Sequence, residues 1–219
     1  MAVDAFSVRD CALVAIATGL RARSLREFRD ALQRVPQESV YYHFWGRLLR
    51  PRFDDTEFHN DFATWARYSL HDERLSERLA VIDPADFSDI EALRADVLEV
   101  VEQCLDETDN LLARRDRQFH FRRCQTVVFD TGVRLQEPAA LAQAIPAMSL
   151  GSIYYHVIDA RRREPVRTDD FRIWLGQFGG SFESLAEKFA AVDPYFANLA
   201  SLRVELSAIV TDHFSGARE

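Results

Sequence analysis

Lysine is almost missing from this chain. Of its 27 basic residues only Lys188 is a lysine, and the rest are arginine. Arginine forks suit carboxylates and phosphates, yet so complete a skew points to a GC-rich genome before it points to a site. Cysteine is scarce as well. Cys11, Cys104 and Cys124 are odd in number and contain no C-x-x-C pair, which excludes a disulfide-stapled scaffold and fits a reducing cytoplasm. The longest apolar run, "CALVAIA" at 11–17, is far too short to span a bilayer, and "MAVDAFSVRD" before it lacks the basic start of a signal peptide. No membrane partner is expected. Also absent are a G-x-S-x-G elbow, a P-loop, a dinucleotide fingerprint and H-E-x-x-H. The local glycine cluster "GQFGGS" at 176–181 has no counterpart elsewhere in the chain. No enzyme motif is present, and no cofactor is assigned.

What the chain does contain is apolar and aromatic. Its 219 residues are 47% hydrophobic with 16 Phe, enough for a substantial core and unlike a disordered chain. The net charge of −8 repels a phosphate backbone, so no nucleic-acid partner is expected.

The dominant feature is self-similarity. "SVYYH" at 39–43 returns as "SIYYH" at 152–156. Shifting residues 6–43 by 113 positions gives identities at Phe6/Phe119, Arg9/Arg122, Cys11/Cys124, Val14/Val127, Thr18/Thr131, Gly19/Gly132, Arg21/Arg134 and Ala31/Ala144, then through Ser39/Ser152 and Tyr-Tyr-His. After a four-residue difference in loop length, "DFATW" at 61–65 matches "DFRIW" at 170–174, and "LSERLAVIDP" at 75–84 matches "LAEKFAAVDP" at 185–194. Order and spacing kept over about half the chain indicate two copies of one unit. The expected domains are residues 1–113 and 114–219, packed as one pseudo-dimer about a local twofold axis.

Each unit opens with a segment that reads as strand, through Phe119-x-Phe121 and Val127-x-Phe129; helix stays open for the first copy because "CALVAIA" is ambiguous. Thr-Gly, at 18–19 and 131–132, is expected to end that segment in a turn. A helix follows, with Ser24 and Glu27 as a capping box and Pro36 as its stop; in the second copy it starts near Pro138. Ser39 and Ser152 are expected to cap the Tyr-Tyr-His helices. Asn60 or Asp61, and Asp169 or Asp170, cap those holding Trp65 and Trp174. Final helices are expected near 88–106 and 196–213, with 106–118 as a solvated helical extension. The fold class is mainly α with minor β, as two tandem pseudo-symmetric helical repeats.

The candidate ligand or interface residues are Tyr41, Tyr42, His43, Asp61 and Trp65, with Tyr154, Tyr155, His156, Asp170 and Trp174. Imidazoles near neutral pH serve as ligands or acid-base groups, but they also lock packed elements through hydrogen bonds. Of two adjacent tyrosines on a helix, one points into the core and the other is expected at the boundary with a free hydroxyl. Asp61 and Asp170 serve as caps, or as carboxylate partners for the histidines. His43, His59 and Asp61 make a weak facial triad for a metal; Thr168 replaces His59 in the second copy, and no metal site is assigned. Arg94 and Arg203 are expected to pair with acids or cap a neighbouring helix end. Cys11 and Cys124 read as buried small hydrophobes. The basic clusters at Arg114, Arg115, Arg117, Arg122 and Arg123, and at Arg161–Arg163, suit an acidic partner or a solvated face.

The ordered set F-x-x-x-x-C, T-G, S-[VI]-Y-Y-H, D-F-x-x-W, L-x-E-x-x-A, D-P, L-R resembles a bacterial and archaeal family of unknown function with a tandemly duplicated unit. The resemblance implies this architecture over nearly the whole chain and an association with sugar-metabolism and glycosyltransferase genes. It implies no activity. Two function classes remain: a cytoplasmic adaptor that binds a protein partner or small molecule, with a homodimer open, or an enzyme acting on a sugar or phosphorylated metabolite through His/Asp acid-base residues.

Overall fold

The computed structural model describes residues 3–50, 57–107, 112–163, 167–195 and 198–216. It is mainly α, with one antiparallel two-stranded sheet. Strand β1 runs Phe6–Ala22 and β2 runs Phe119–Leu135, which resolves "CALVAIA" as strand. Among the described residues no helix is long and apolar enough to cross a membrane.

The compact units do not follow the duplication. One is contiguous, Leu13–Gln125; the other is split, Met1–Ala12 with Thr126–Glu219. Each strand gives its first half to one unit and its second half to the other. The repeat boundaries at 1–113 and 114–219 thus mark the internal similarity, while the packing exchanges residues up to Ala12 and 114–125.

Among the described residues the contiguous unit contains the α-helices α1 Leu25–Leu32, α2 Gln37–Trp45, α3 Asp61–Trp65, α4 Glu73–Ala80 and α5 Ile90–Glu107. Helix α1 forms as its sequence dictates, with Ser24 and Glu27 closing a complete capping box and Leu25, Phe28, Ala31 and Leu32 buried. Phe28 is the centre of the core. Its ring lies 5.2–5.3 Å from Phe62, Trp65, Phe119 and Phe121, so the Phe-x-Phe alternation of β2 presents its inner face to the helices. Arg94 from α5 donates to the carbonyls of Leu32 at 2.5 Å and Val35 at 2.7 Å, closing the orphan end of α1 as expected.

The split unit contains α6 Leu141–Ala147, α7 Leu150–Ile153, α8 Asp170–Gly176, α9 Glu183–Ala190 and α10 Leu199–Gly216, with a short 3-10 turn Pro138–Ala140 before them. Phe6 takes the central place, its ring 5.2 Å from Phe171 and 5.3 Å from Trp174. Arg203 donates to the Met148 carbonyl at 2.8 Å, as Arg94 does for α1.

Several local expectations need correction. Thr-Gly does not end the strands: Gly19 (φ 79) and Gly132 (φ 76) sit inside them as bulge-type kinks. The threonine hydroxyls stabilise the kinks, donating to Phe121 O at 2.7 Å and to Val8 O. Ser39 and Ser152 are not caps. Helix α2 starts earlier, with Pro36 at its N-cap, and Ser149 caps α7. The Ser39 hydroxyl is buried inside α2 with no hydrogen-bond partner among the described residues. The described residues 112–118 of the expected helical extension are not α-helical: Leu112 bridges Ser24, the Ala113 N–H donates to Arg23 O at 2.7 Å, and Arg115–Arg117 is a 3-10 turn. Residues 108–111 of that extension, and 196–197 where the last helix was expected to begin, lie outside the described residues.

Candidate functional site

In the contiguous unit α2 is buried on all sides and brings His43 beneath Phe119, ring to ring at 4.7 Å. His43 is 2% exposed. Its Nδ1 lies 2.9 Å from Asp61 Oδ2, and its Nε2 accepts the backbone N–H of Arg122 at 3.1 Å. An acceptor Nε2 requires the neutral Nδ1–H tautomer, with Nδ1 donating to the carboxylate. Burial pushes the His43 imidazole below its ordinary value, outweighing the opposing pull of Asp61, and Arg50 and Arg122 add to the depression. Burial alone would raise Asp61, but the hydrogen bond from His43, with the charges of Arg50 and Arg47, holds its carboxyl below the ordinary value. The pair is therefore a neutral imidazole donating to an ionised carboxylate.

Asp61 is free for this because Asn60 is the cap, its side chain accepting the Ala63 N–H at 2.8 Å. Arg47 and Arg50 approach the Asp61 carboxylate at 3.5 and 3.4 Å, and the Arg50 guanidinium covers the Tyr42 ring at 4.7 Å.

The split unit repeats the arrangement. His156 is also 2% exposed, with Nδ1 2.7 Å from Asp170 Oδ2 and Nε2 accepting the Arg9 N–H at 2.9 Å. Asp169 is the cap of α8 and leaves Asp170 for the histidine. Arg163 donates to Asp170 at 2.8 Å, covers Tyr155 at 4.2 Å and donates to the Tyr155 hydroxyl at 3.2 Å. The backbone differs here, since Tyr154–Ile158 forms a π turn where the matching residues of α2 are α-helical.

The tryptophans complete the pattern. Trp65 Nε1–H donates to Arg117 O, and Trp174 Nε1–H to Asp4 O, both at 2.9 Å. Each acceptor lies two residues before the first strand phenylalanine. The thiols of Cys124 and Cys11 face carbonyls of Glu38 and Gly151 at 3.8 and 3.4 Å. Burial, then Asp159 and Asp10, push the Cys11 thiol up to about 12, so it is no thiolate nucleophile at neutral pH. In each unit His thus grips the backbone of a half-strand and Trp the chain two residues ahead of it, while the Phe-x-x-x-x-Cys residues of that half-strand fill the core.

Of the remaining candidates, Tyr41 stacks on Trp45 at 4.9 Å and Tyr154 is fully buried. The expected boundary tyrosines are buried too, because an arginine lies over each ring. Those arginines, Arg50 and Arg163, were missed as site residues; they stand 113 positions apart, seven after each histidine, so extending the alignment that far pairs them. His59 is half-buried. Among the described residues no three His, Cys, Asp or Glu side chains gather as a metal site, and both His43 nitrogens are engaged.

A family model described as "Family of unknown function (DUF5752)" matches residues 3–211. The fold is similar to the solved structure of OrfY from Thermoproteus tenax, with a TM-score of 0.82 and 25% identity over 95% of this chain and 94% of that chain. No curated protein sequence matches significantly.

Proposed function

The chain belongs to this family of unknown function, and we propose that it is a non-catalytic binding module, an adaptor of the cytoplasm whose paired His–Asp elements hold the fold rather than turn over a substrate. One observation carries this reading: both nitrogens of each buried imidazole are committed, Nδ1 to a carboxylate and Nε2 to a strand N–H. A general base needs a nitrogen within reach of the proton it removes, and here that place is taken by backbone. The same bonds explain why the motif occurs twice, since two half-strands have to be held.

The competing reading is an enzyme acting on a sugar or phosphorylated metabolite with His43 or His156 as base. The two are separated by the ring nitrogen spectrum of His43, followed by NMR from pH 8.5 to 5.5. A binding module keeps the Nδ1–H tautomer, with a coupling from Nε2 to the Arg122 amide. An imidazole that titrates near its ordinary value and lacks that coupling would overturn the proposal and restore the enzyme.

A further inference from the structure

Within the contiguous unit the second half of β1 is an outer strand. The sheet has two strands, so among the described residues the far edge of Leu13–Ala22 pairs with no other strand. Natural sheet edges are blunted by charge or proline. This one has neither from Leu13 to Leu20, eight residues without a charged side chain.

Charge is concentrated beside it instead. Residues 13–23 and 112–125 contain seven arginines, at 21, 23, 114, 115, 117, 122 and 123, against Asp116 alone. The chain's 27 basic and 35 acidic residues thus leave 20 against 34 elsewhere. Strand pairing and the Ala113–Arg23 hydrogen bond place these arginines around one end of the sheet. Arg21, Arg114, Arg115, Arg117 and Arg122 are exposed. Arg114 reaches Asp116 at 3.6 Å, whereas Arg21, Arg115, Arg117 and Arg122 have no ion-pair partner among the described residues. Two large apolar side chains of these segments are exposed, Val14 at 48% on the half-strand and Leu112 at 59% beside its end.

We propose that this surface docks an acidic, extended segment of a partner protein, which adds to the β1 edge as a third strand and places its carboxylates on the neighbouring arginines. The inference rests on the binding-module reading and names its partner. An open edge supplies the N–H and C=O groups of a ladder, and arginine forks take carboxylates in pairs. A nucleic acid has no use for that ladder, and it meets repulsion from the acidic remainder of the chain.

The test is fluorescence anisotropy of the full chain with a labelled twelve-residue peptide of alternating Glu and Val. Saturable binding is expected, falling at least tenfold between 50 and 300 mM salt. A further tenfold loss is expected in the Arg21→Glu/Arg115→Glu variant, whose unchanged circular dichroism melt reports an intact fold. A peptide with Pro at alternate Val positions keeps the charge but loses the backbone donors, and it is expected to bind at least tenfold more weakly. Absence of binding by the Glu-Val peptide, equal binding of the Pro peptide, indifference to the charge reversals, or tighter binding of a twelve-residue oligo-dT would each overturn the assignment. A peptide failure with His43 still closed by NMR sinks this surface alone; an open, titrating His43 sinks the module reading.

Discussion

Asparagine in place of Asp169 is expected to stabilise the protein at neutral pH. Asp169 is 2% exposed and caps α8 through Oδ1, which accepts the Arg172 N–H at 2.9 Å. Its other oxygen is buried without a hydrogen bond among the described residues, and Arg172 Nη1 stands 3.9 Å away. Burial pushes this carboxyl up, against the lowering effect of the Arg172 amide and of Arg161 and Arg172. Desolvation therefore outweighs the attraction. A buried acceptor without a partner costs about 1–3 kcal/mol, and the arginine attraction returns part of it. Arg172, with a side chain 35% exposed and bonded to Thr168, is not stranded by losing the charge. The contiguous unit has an amide at the matching place: Asn60 caps in the same way and donates its Nδ2 to Leu79 O at 2.8 Å. Asp169→Asn keeps the cap and should gain about 1–2 kcal/mol at pH 7, a rise of about 3–6 °C in Tm for a chain of this size. The sign with pH follows from linkage. A raised carboxyl gives its full contribution below its unfolded value of 3.8 and loses it as pH rises through the folded value. The gain should therefore be near zero around pH 4 and grow towards pH 7, read by thermal melts of both proteins across that range. An unchanged or lower Tm at pH 7, or a gain that does not shrink in acid, would refute the reasoning.

His43→Asn should cost about 2–4 kcal/mol at pH 7.5 by urea titration, since it strands the Arg122 N–H and leaves a gap beside Phe119. Because burial holds His43 below its ordinary 6.5, its stabilising contribution is complete above that value and is lost as pH falls through the folded value. The variant should accordingly show a flatter stability profile than the parent between about pH 6.5 and 5; equal slopes would count against a buried neutral imidazole. Gly151→Ala would drive a Cβ into the Asp10 carboxylate and the Cys11 carbonyl. It should loosen the first half of β1 and speed the reaction of Cys11 with a disulfide reagent by at least tenfold, with Cys11→Ser as the control that identifies the thiol. Arg94→Lys replaces a guanidinium whose Nη1 bonds both the Leu32 and Val35 carbonyls while Nη2 bonds Glu91, and should cost about 1–3 kcal/mol. Its local signature is faster amide exchange in the last turn of α1, and protection equal to the parent would show that the carbonyls need no arginine.

Much of the local structure is legible in the chain. The capping box at Ser24 and Glu27, the Asx caps before each Trp helix and the helix-closing roles of Arg94 and Arg203 are written in neighbouring residues or in matched positions. The candidate His, Asp and Trp residues do converge on one cluster in each unit. Ser39 and Ser152 misled because serine is a favoured N-cap residue, yet Pro36 and Ser149 start those helices earlier. The boundary tyrosines misled because adjacent helix positions diverge by about 100°, and nothing in the Tyr-Tyr pair shows that an arginine further along the chain will cover the outer ring.

Where the half-strands go was a tertiary decision. Phe6-x-Val8-x-x-Cys11 and Phe119-x-Phe121-x-x-Cys124 are nearly the same segment, and either would suit the cleft under a buried histidine. The sequence by itself determined that there would be two such segments, two matched sets of Tyr-Tyr-His and Asp-Phe-x-x-Trp, and a helix capped at Ser24. It could not say which set takes which segment, because the bonds that decide it join Arg122 to His43 and Arg9 to His156, 79 and 147 residues apart. Caps and apolar stripes are relations within about four residues, so a sequence window contains them whole. The pairing of half-strand and motif set depends on how the whole chain closes on itself, and only the folded structure contains that.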